Sequence, residues 1–229
     1  MAEPDSGNSG GRRWQGVDPV DRRTERKLKL IEAGIDLLAA EGPTAVTMRE
    51  VCRRAGLTGR YFYESFDNRD TFLFHIFDLV VDDAEQTITQ AIATAPGDPA
   101  EATVHIARAF TDFLVEDPRR GQVLLIQSVT SELYAHGREL TGRFTAIVEV
   151  LKASFTAEGG ELPRDDAYTD RWDPLAVFGA LAFVYQDWLL HPGDVGAEGI
   201  SSYIGHLITS LTGVGAVGRA GGTGGGGRD

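Results

Sequence analysis

The chain has 229 residues, 42 % of them hydrophobic and 24 % charged, which excludes wholesale disorder and suffices for one or two packed domains of roughly 100–200 residues. A formal net charge of −12 argues at first against nucleic acid, yet it is unevenly spread: residues 1–69 carry 12 Lys/Arg against 11 Asp/Glu, and residues 70–229 carry 10 against 23. The single cysteine, Cys52, excludes a disulfide scaffold and any cysteine-based zinc site.

In chain order, residues 1–19 are a polar, Gly/Ser-rich stretch expected to be a flexible arm, and residues 214–229 an equally glycine-rich tail. Between them the hydrophobic period is helical throughout. Leu28, Ile31, Ile35 and Leu38 form one apolar stripe on a first helix from about Asp21 to Ala40, stopped by Gly42-Pro43. Thr47-Met48-Arg49-Glu50 reads as a capping box opening a second helix to Arg54. A third helix runs from Thr58 to Ser65 across the turn Ala55-Gly56-Leu57.

Asp67-Asn68 caps a long fourth helix with Leu73, Phe77, Val80, Ala84, Ile88 and Ala91 inward. Pro96-Gly97-Asp98-Pro99 breaks the chain before a fifth helix around Phe110, Phe113 and Leu114, which Asp117-Pro118 ends. A sixth helix is expected from Arg119 to about Tyr134, and a seventh through Leu140, Phe144, Ile147 and Leu151. After an acidic loop holding Asp165, Asp166, Asp170 and Asp173, an eighth helix near Trp172 to Leu190 is apolar almost all round, and Ile200, Ile204, Leu207 and Leu211 mark a ninth. No alternating, strand-like run occurs. The expected fold class is all-α, about nine helices.

Residues 47–65 carry the chemistry. Helix, glycine-containing turn, helix is the spacing of a helix-turn-helix, with Gly56 at the position that needs left-handed freedom. Val51 and Phe62 can close a core against Leu38 and Val46. The first two turns of the second helix, which enter the major groove in this motif, would then present Thr58, Gly59, Arg60, Tyr61 and Tyr63. By spacing alone, a three-helix core with no nucleic-acid role reads the same way.

The wording of the segment narrows the choice. Ala55-Gly56-Leu57-Thr58-Gly59-Arg60-Tyr61-Phe62-Tyr63-Glu64-Ser65-Phe66, followed by Asp67-Asn68-Arg69-Asp70-Thr71-Phe72-Leu73, closely resembles the TetR family of bacterial transcriptional regulators. The likeness covers about residues 22–73; the later helices match in number, length and the Asp117-Pro118-Arg119-Arg120 junction. Gly59, Arg60 and Ser65 depart from the family's commoner residues, so the operator is not legible by analogy.

The resemblance implies a helix-turn-helix domain over residues 20–67, a ligand-binding and dimerisation domain over 68–213, and double-stranded DNA as partner. Arg60 can bridge guanine O6 and N7 or clamp a phosphate. Tyr63 matches the family's tyrosine and is expected on the backbone; Tyr61 can do the same or touch a thymine methyl. Thr47 and Thr58 cap helices whose N-termini suit phosphate. Arg49 can reach the groove or the backbone, and Arg69 resembles the family's phosphate-contacting lysine. Arg22, Arg23 and Arg26 either follow the DNA or form a solvated basic end.

One recognition helix covers a half-site, so a homodimer reading a palindrome is expected, its two heads about 34–36 Å apart. Phe178, Leu181, Val184, Leu189, Ile204, Leu207 and Leu211 are the interface candidates, as a four-helix bundle of two copies. Phe77, Phe110, Phe113, Leu125, Ser128, Tyr134, Trp172, Tyr185 and Gln186 are candidates for an effector pocket, each also plausible as plain core, and together they suggest an apolar or aromatic effector. Repression relieved by that effector is the expected function; a helical scaffold, or a regulator needing a corepressor, is the alternative.

The five histidines His75, His105, His136, His191 and His206 form no metal-ligand spacing, and no nucleophile elbow, P-loop or dinucleotide fingerprint is present. No catalytic residues, cofactor or metal are therefore expected. No charged leader precedes an apolar run at the start, and the longest uncharged stretch in the apolar region, Pro174 to Gln186, is shorter than the ~20 residues of a membrane span. The expected location is the cytoplasm, away from membranes.

Overall fold

The structure is a computed structural model that describes residues 19–129, 133–155 and 169–212. The expected arm and tail, apart from Pro19, and the loop residues Asp165 and Asp166 lie outside these. Among the described residues every regular element is helical: α1 (Pro19–Glu41), α2 (Met48–Ala55), α3 (Gly59–Tyr63), α4 (Arg69–Ala93), α5 (Pro99–Glu116), α6 (Pro118–Gly121), α7 (Tyr134–Phe155), α8 (Thr169–Leu190) and α9 (Ala197–Thr212).

The first three helices close on Leu30, Leu37, Leu38, Val46, Val51 and Phe62, all buried. The inward stripe of α1 is not quite the expected one. Leu28 is 56 % exposed, while Leu30 and Leu37 join Ile31 and Leu38 in the core. Where α1 crosses α4, a Cβ on Gly34 would stand 2.5 Å from the Phe72 ring, so glycine there lets the aromatic side chain reach the backbone.

Helix α4 keeps the predicted face: Leu73, Phe77, Val80, Ala84 and Ala91 are buried, and Asn68 Oδ1 accepts from the Thr71 N–H at 2.8 Å as its cap. At 25 residues α4 is roughly 37 Å long at 1.5 Å per residue, and it runs from the head to the body. In the body, α5 packs along α9. A Cβ at Gly205 would sit 2.7 Å from the Val104 backbone, and the Thr103 and Thr209 hydroxyls meet at 3.0 Å across the crossing.

The expected sixth helix is the largest departure. Instead of one helix from Arg119 onward, α6 lasts a single turn, a π-helical turn follows over Gln122–Ile126, and a 3₁₀ turn over Gln127–Val129. Apolar period cannot distinguish these, because it is the widened turn that carries Val123 and Leu124 into the core. Asp170 and Asp173, expected in a loop, belong to the start of α8.

Arg119 ties this segment to the head. It bonds Asp117 at 2.7 Å, Asp36 of α1 at 2.7 Å and Glu32 of α1 at 3.0 Å. The pairing pushes the guanidinium pKa further up and holds the Asp117 carboxyl below its ordinary range.

Candidate nucleic-acid interface and ligand cavity

The helix-turn-helix forms as its spacing requires. Gly56 closes α2 at φ 66°, a left-handed conformation that a side chain would strain. Thr47 Oγ1 accepts from the Glu50 N–H at 3.2 Å, but the Glu50 carboxylate pairs with Arg53 instead of returning to the cap, so the capping box is half made. Arg53 holds the Glu50 pKa below its ordinary value. Helix α3 is shorter than expected, and Glu64 is its C-cap. Thr58 stands at the N-cap without a side-chain cap bond, which leaves its exposed hydroxyl to other partners.

Thr47, Arg49, Thr58, Arg60 and Tyr63 are all exposed on or beside these two helices. Gly59 begins α3 close to Met48; a Cβ there would stand 3.2 Å from its sulfur. Tyr61 is half-buried with the Arg26 guanidinium 4.4 Å above its ring. Glu64 gathers the cations of this surface. Arg60 donates from Nε to Oε1 at 3.0 Å, Arg26 lies 3.9 Å from Oε2, and Arg23 donates to the Glu64 carbonyl. The Arg60 side chain is 83 % exposed, so Nε is engaged while the two terminal nitrogens face outward.

Arg69, expected at a phosphate, also has partners within the head. Its Nε donates to the Val46 carbonyl at 2.8 Å, it donates again to the Pro43 carbonyl, and it pairs with Asp70 at 2.9 Å. These bonds join the start of α4 to the turn between α1 and α2. Sequence offers no signal for such a clasp, because both acceptors are backbone carbonyls.

The body holds a cavity of about 670 Å³ among α4, α5, α7, α8, α9 and the π-helical turn. Of the candidate pocket residues, Phe110, Leu125, Ser128, Tyr185 and Gln186 line it. The Tyr185 hydroxyl lies 2.9 Å from Thr111 and donates to the Ala107 carbonyl at 3.1 Å; burial pushes its pKa up. Gln186 Nε2 donates to the Leu125 carbonyl at 3.1 Å.

Phe77, Phe113 and Trp172 do not line the cavity. Phe77 is core, Phe113 packs under the Arg120 guanidinium at 4.3 Å beside a separate polar groove between α4 and α5, and Trp172 is 52 % exposed. The Tyr134 side chain lies outside what the structure describes. The walls missed by sequence come from α7, with Phe144 stacked on Phe178 at 5.7 Å, and from Ile88 and Ile92 of α4.

The interface candidates divide. Ile204 is 1 % exposed within a single chain and lines the cavity, so it cannot face a partner; Phe178 and Leu181 line the cavity too. Val184 and Leu207 pack on the core, and Leu189 covers Gly121, where a Cβ would stand 2.6 Å from its methyl. Leu211 is exposed, alongside Leu190 and Tyr203 on α8 and α9, and Phe183 is 73 % exposed while also lining the cavity. Helix α8 turns apolar residues to the cavity and leaves others, such as Leu190, exposed in the single chain.

Residues 30–76 match the family of bacterial regulatory proteins described as the tetR family. No curated protein matches the chain by sequence. Among solved structures, the fatty acid degradation regulator FadR of Bacillus halodurans is 17 % identical with a TM-score of 0.67, over 80 % of this chain and 97 % of its own. FadR of Bacillus subtilis in complex with stearoyl-CoA is 16 % identical with a TM-score of 0.68, over 81 % and 98 %. A TetR family transcription regulator from Marinobacter aquaeolei VT8 is 15 % identical with a TM-score of 0.61, over 84 % and 97 %.

Proposed function

We propose that this chain, a TetR-family DNA-binding regulator by its head and its fold, is a homodimeric repressor that leaves its operator when an apolar effector enters the body. The observation that carries the reading is the run of α4. Its first residue, Arg69, is clasped to the head by backbone carbonyls, and Ile88 and Ile92 near its other end line the cavity. One rigid helix thus touches both places where a partner would bind.

On DNA, Arg60 reads guanine with its two free terminal nitrogens, while Tyr63, Thr58, Thr47 and Arg49 meet the backbone. Gly59 lets α3 approach closely, and Tyr61 with Arg26 supports its flank. The exposed apolar sides of α8 and α9 join two copies, which sets two heads at the separation of a palindrome, about 34–36 Å. The head acts over residues 20–67 and the body over 68–213. No helix among the described residues is long and apolar enough to cross a membrane, in keeping with action on the genome in the cytoplasm.

The effector works by population shift. A ligand that fills the cavity favours the arrangement of α4 in which the heads no longer match the operator, and lowers DNA affinity by its preference between the two states. The stearoyl-CoA bound by the Bacillus subtilis FadR has a long apolar chain, the kind of group this lining accommodates. The test is to select genomic DNA fragments with the purified chain and sequence what is retained. One enriched palindrome, lost on adding effector, is expected; a folded dimer that enriches nothing overturns the proposal.

A further inference from the structure

The body cavity contains no charged side chain among its described lining residues, although the chain carries a net −12 overall and most of its acids lie beyond residue 69. The cation nearest in sequence shows how consistently charge is kept out. Arg143 lies on α7 between the lining residues Gly142 and Phe144, yet its guanidinium is paired with Asp82 at 2.7 Å and with Glu85, both on α4. Those carboxylates push its pKa up. A carboxylate or phosphate in the cavity would therefore lose its water without meeting a counter-charge, and an ammonium would meet no carboxylate.

The polar side chains that remain are neutral; on α7, Thr145 donates to the Gly142 carbonyl and Thr141 is engaged as well. Tyr185 is already satisfied by Thr111 and the Ala107 carbonyl. Gln186 spends one amide N–H on the Leu125 carbonyl and keeps the other N–H and its oxygen. Ser128, one turn beyond Leu125, lines the same cavity with a hydroxyl that has no hydrogen-bond partner among the described residues. Gln186 is tied to Leu125, three residues before Ser128, and the two together complement a group that both donates and accepts.

We infer that the effector is an uncharged amphiphile, an apolar body ending in one hydroxyl-like group held by Ser128 and Gln186, and not an anion such as a free acyl carboxylate or an acyl nucleotide thioester. This rests on the cavity being the effector site, as proposed above. The shared feature with the stearoyl-CoA complex is then the hydrocarbon chain alone.

The test uses the full chain and four probes with the same ten-carbon tail: 1-decanol, decanoate, decylammonium and decanoyl-CoA, each titrated at neutral pH below its micelle concentration against bound Nile red, a neutral dye. Decanol is expected to displace the dye at least about tenfold more tightly than any charged probe. Ser128→Ala should weaken decanol about three- to tenfold while leaving dye binding and the melting curve unchanged; Gln186→Leu should weaken it as much and, by freeing the Leu125 carbonyl, also lower the melting temperature. Decanoate or decanoyl-CoA binding as tightly as decanol overturns the neutral-ligand inference with the cavity still standing. Decanol binding unaffected by either substitution overturns the anchor assignment. If neither the dye nor any probe binds, the cavity is not the effector site and both readings fall.

Discussion

The head and the body spend their aromatic side chains in opposite ways. In the head Phe62 and Phe66 pack against each other and against Phe72 at the start of α4, with ring centroids 4.8–5.7 Å apart. In the body Phe110, Phe144, Phe178 and Tyr185 surround about 670 Å³ of space. A reading surface has to hold its side chains still, because a base contact tolerates little play. A ligand chamber has to leave room, so its helices are held by paired hydroxyls and by glycines such as Gly205 instead of by a filled centre.

The contrast can be broken most forcefully at Phe62. Phe62→Ala empties a fully buried site and should cost about 3–5 kcal/mol, read by denaturant unfolding. The same change at Phe144, which is only half-buried beside the cavity, should cost well under half of that. Equal losses would mean that the body is packed as tightly as the head.

Arg69→Ala removes charged donors from the Val46 and Pro43 carbonyls and should lower stability by about 1.5–3 kcal/mol, measured by unfolding without DNA. A variant of normal stability with uniformly weaker DNA binding would return Arg69 to the role of a phosphate contact.

Arg60→Ala should cost about 1–3 kcal/mol on the preferred sequence and relax discrimination at one base pair, with stability unchanged because the side chain is exposed. Glu64→Gln sharpens this point. It releases Arg60 Nε and removes a negative charge facing DNA, so non-specific affinity should rise a few-fold while specificity falls. Binding isotherms on cognate and scrambled duplexes at several salt concentrations separate the two outcomes.

The smallest effect is on pH. Asp117, its pKa lowered by Arg119, contributes stability in full above the unfolded carboxyl value of about 3.9 and loses it as pH falls through the folded value. Asp117→Asn should therefore cost up to about 1 kcal/mol at neutral pH, and the difference from the unaltered chain should close as pH falls through the lowered folded value. No gap at neutral pH would assign Asp117 to capping α6 alone, because an asparagine amide oxygen accepts the Arg119 N–H as well.

How legible each region was in the sequence follows the range of its interactions. Thr47, Gly56, Asn68 and the Asp117-Pro118 junction act on neighbours within a turn, so spacing identifies them and the helix order with them. The core pair Val51 and Phe62 was equally plain. Leu28 and Leu30 exchanged places because the inward face of α1 depends on how α2 and α4 approach it. Ile204, read as interface, is cavity wall because α9 packs against α5 at Gly205, and nothing local specifies that depth.

What the amino-acid sequence determined alone was the all-helical class, the helix-turn-helix and its exposed residues, since periodicity, capping and turn chemistry act over a few residues. Only the tertiary structure decided that Arg69 clasps the head, that the segment after Arg119 opens into a π-helical turn, and that α7 supplies a cavity wall. The clasp and the cavity wall join groups far apart in the chain, the clasp through backbone carbonyls, which carry no residue identity for a sequence to display, and the widened turn follows from the packing that takes Val123 and Leu124 into the core.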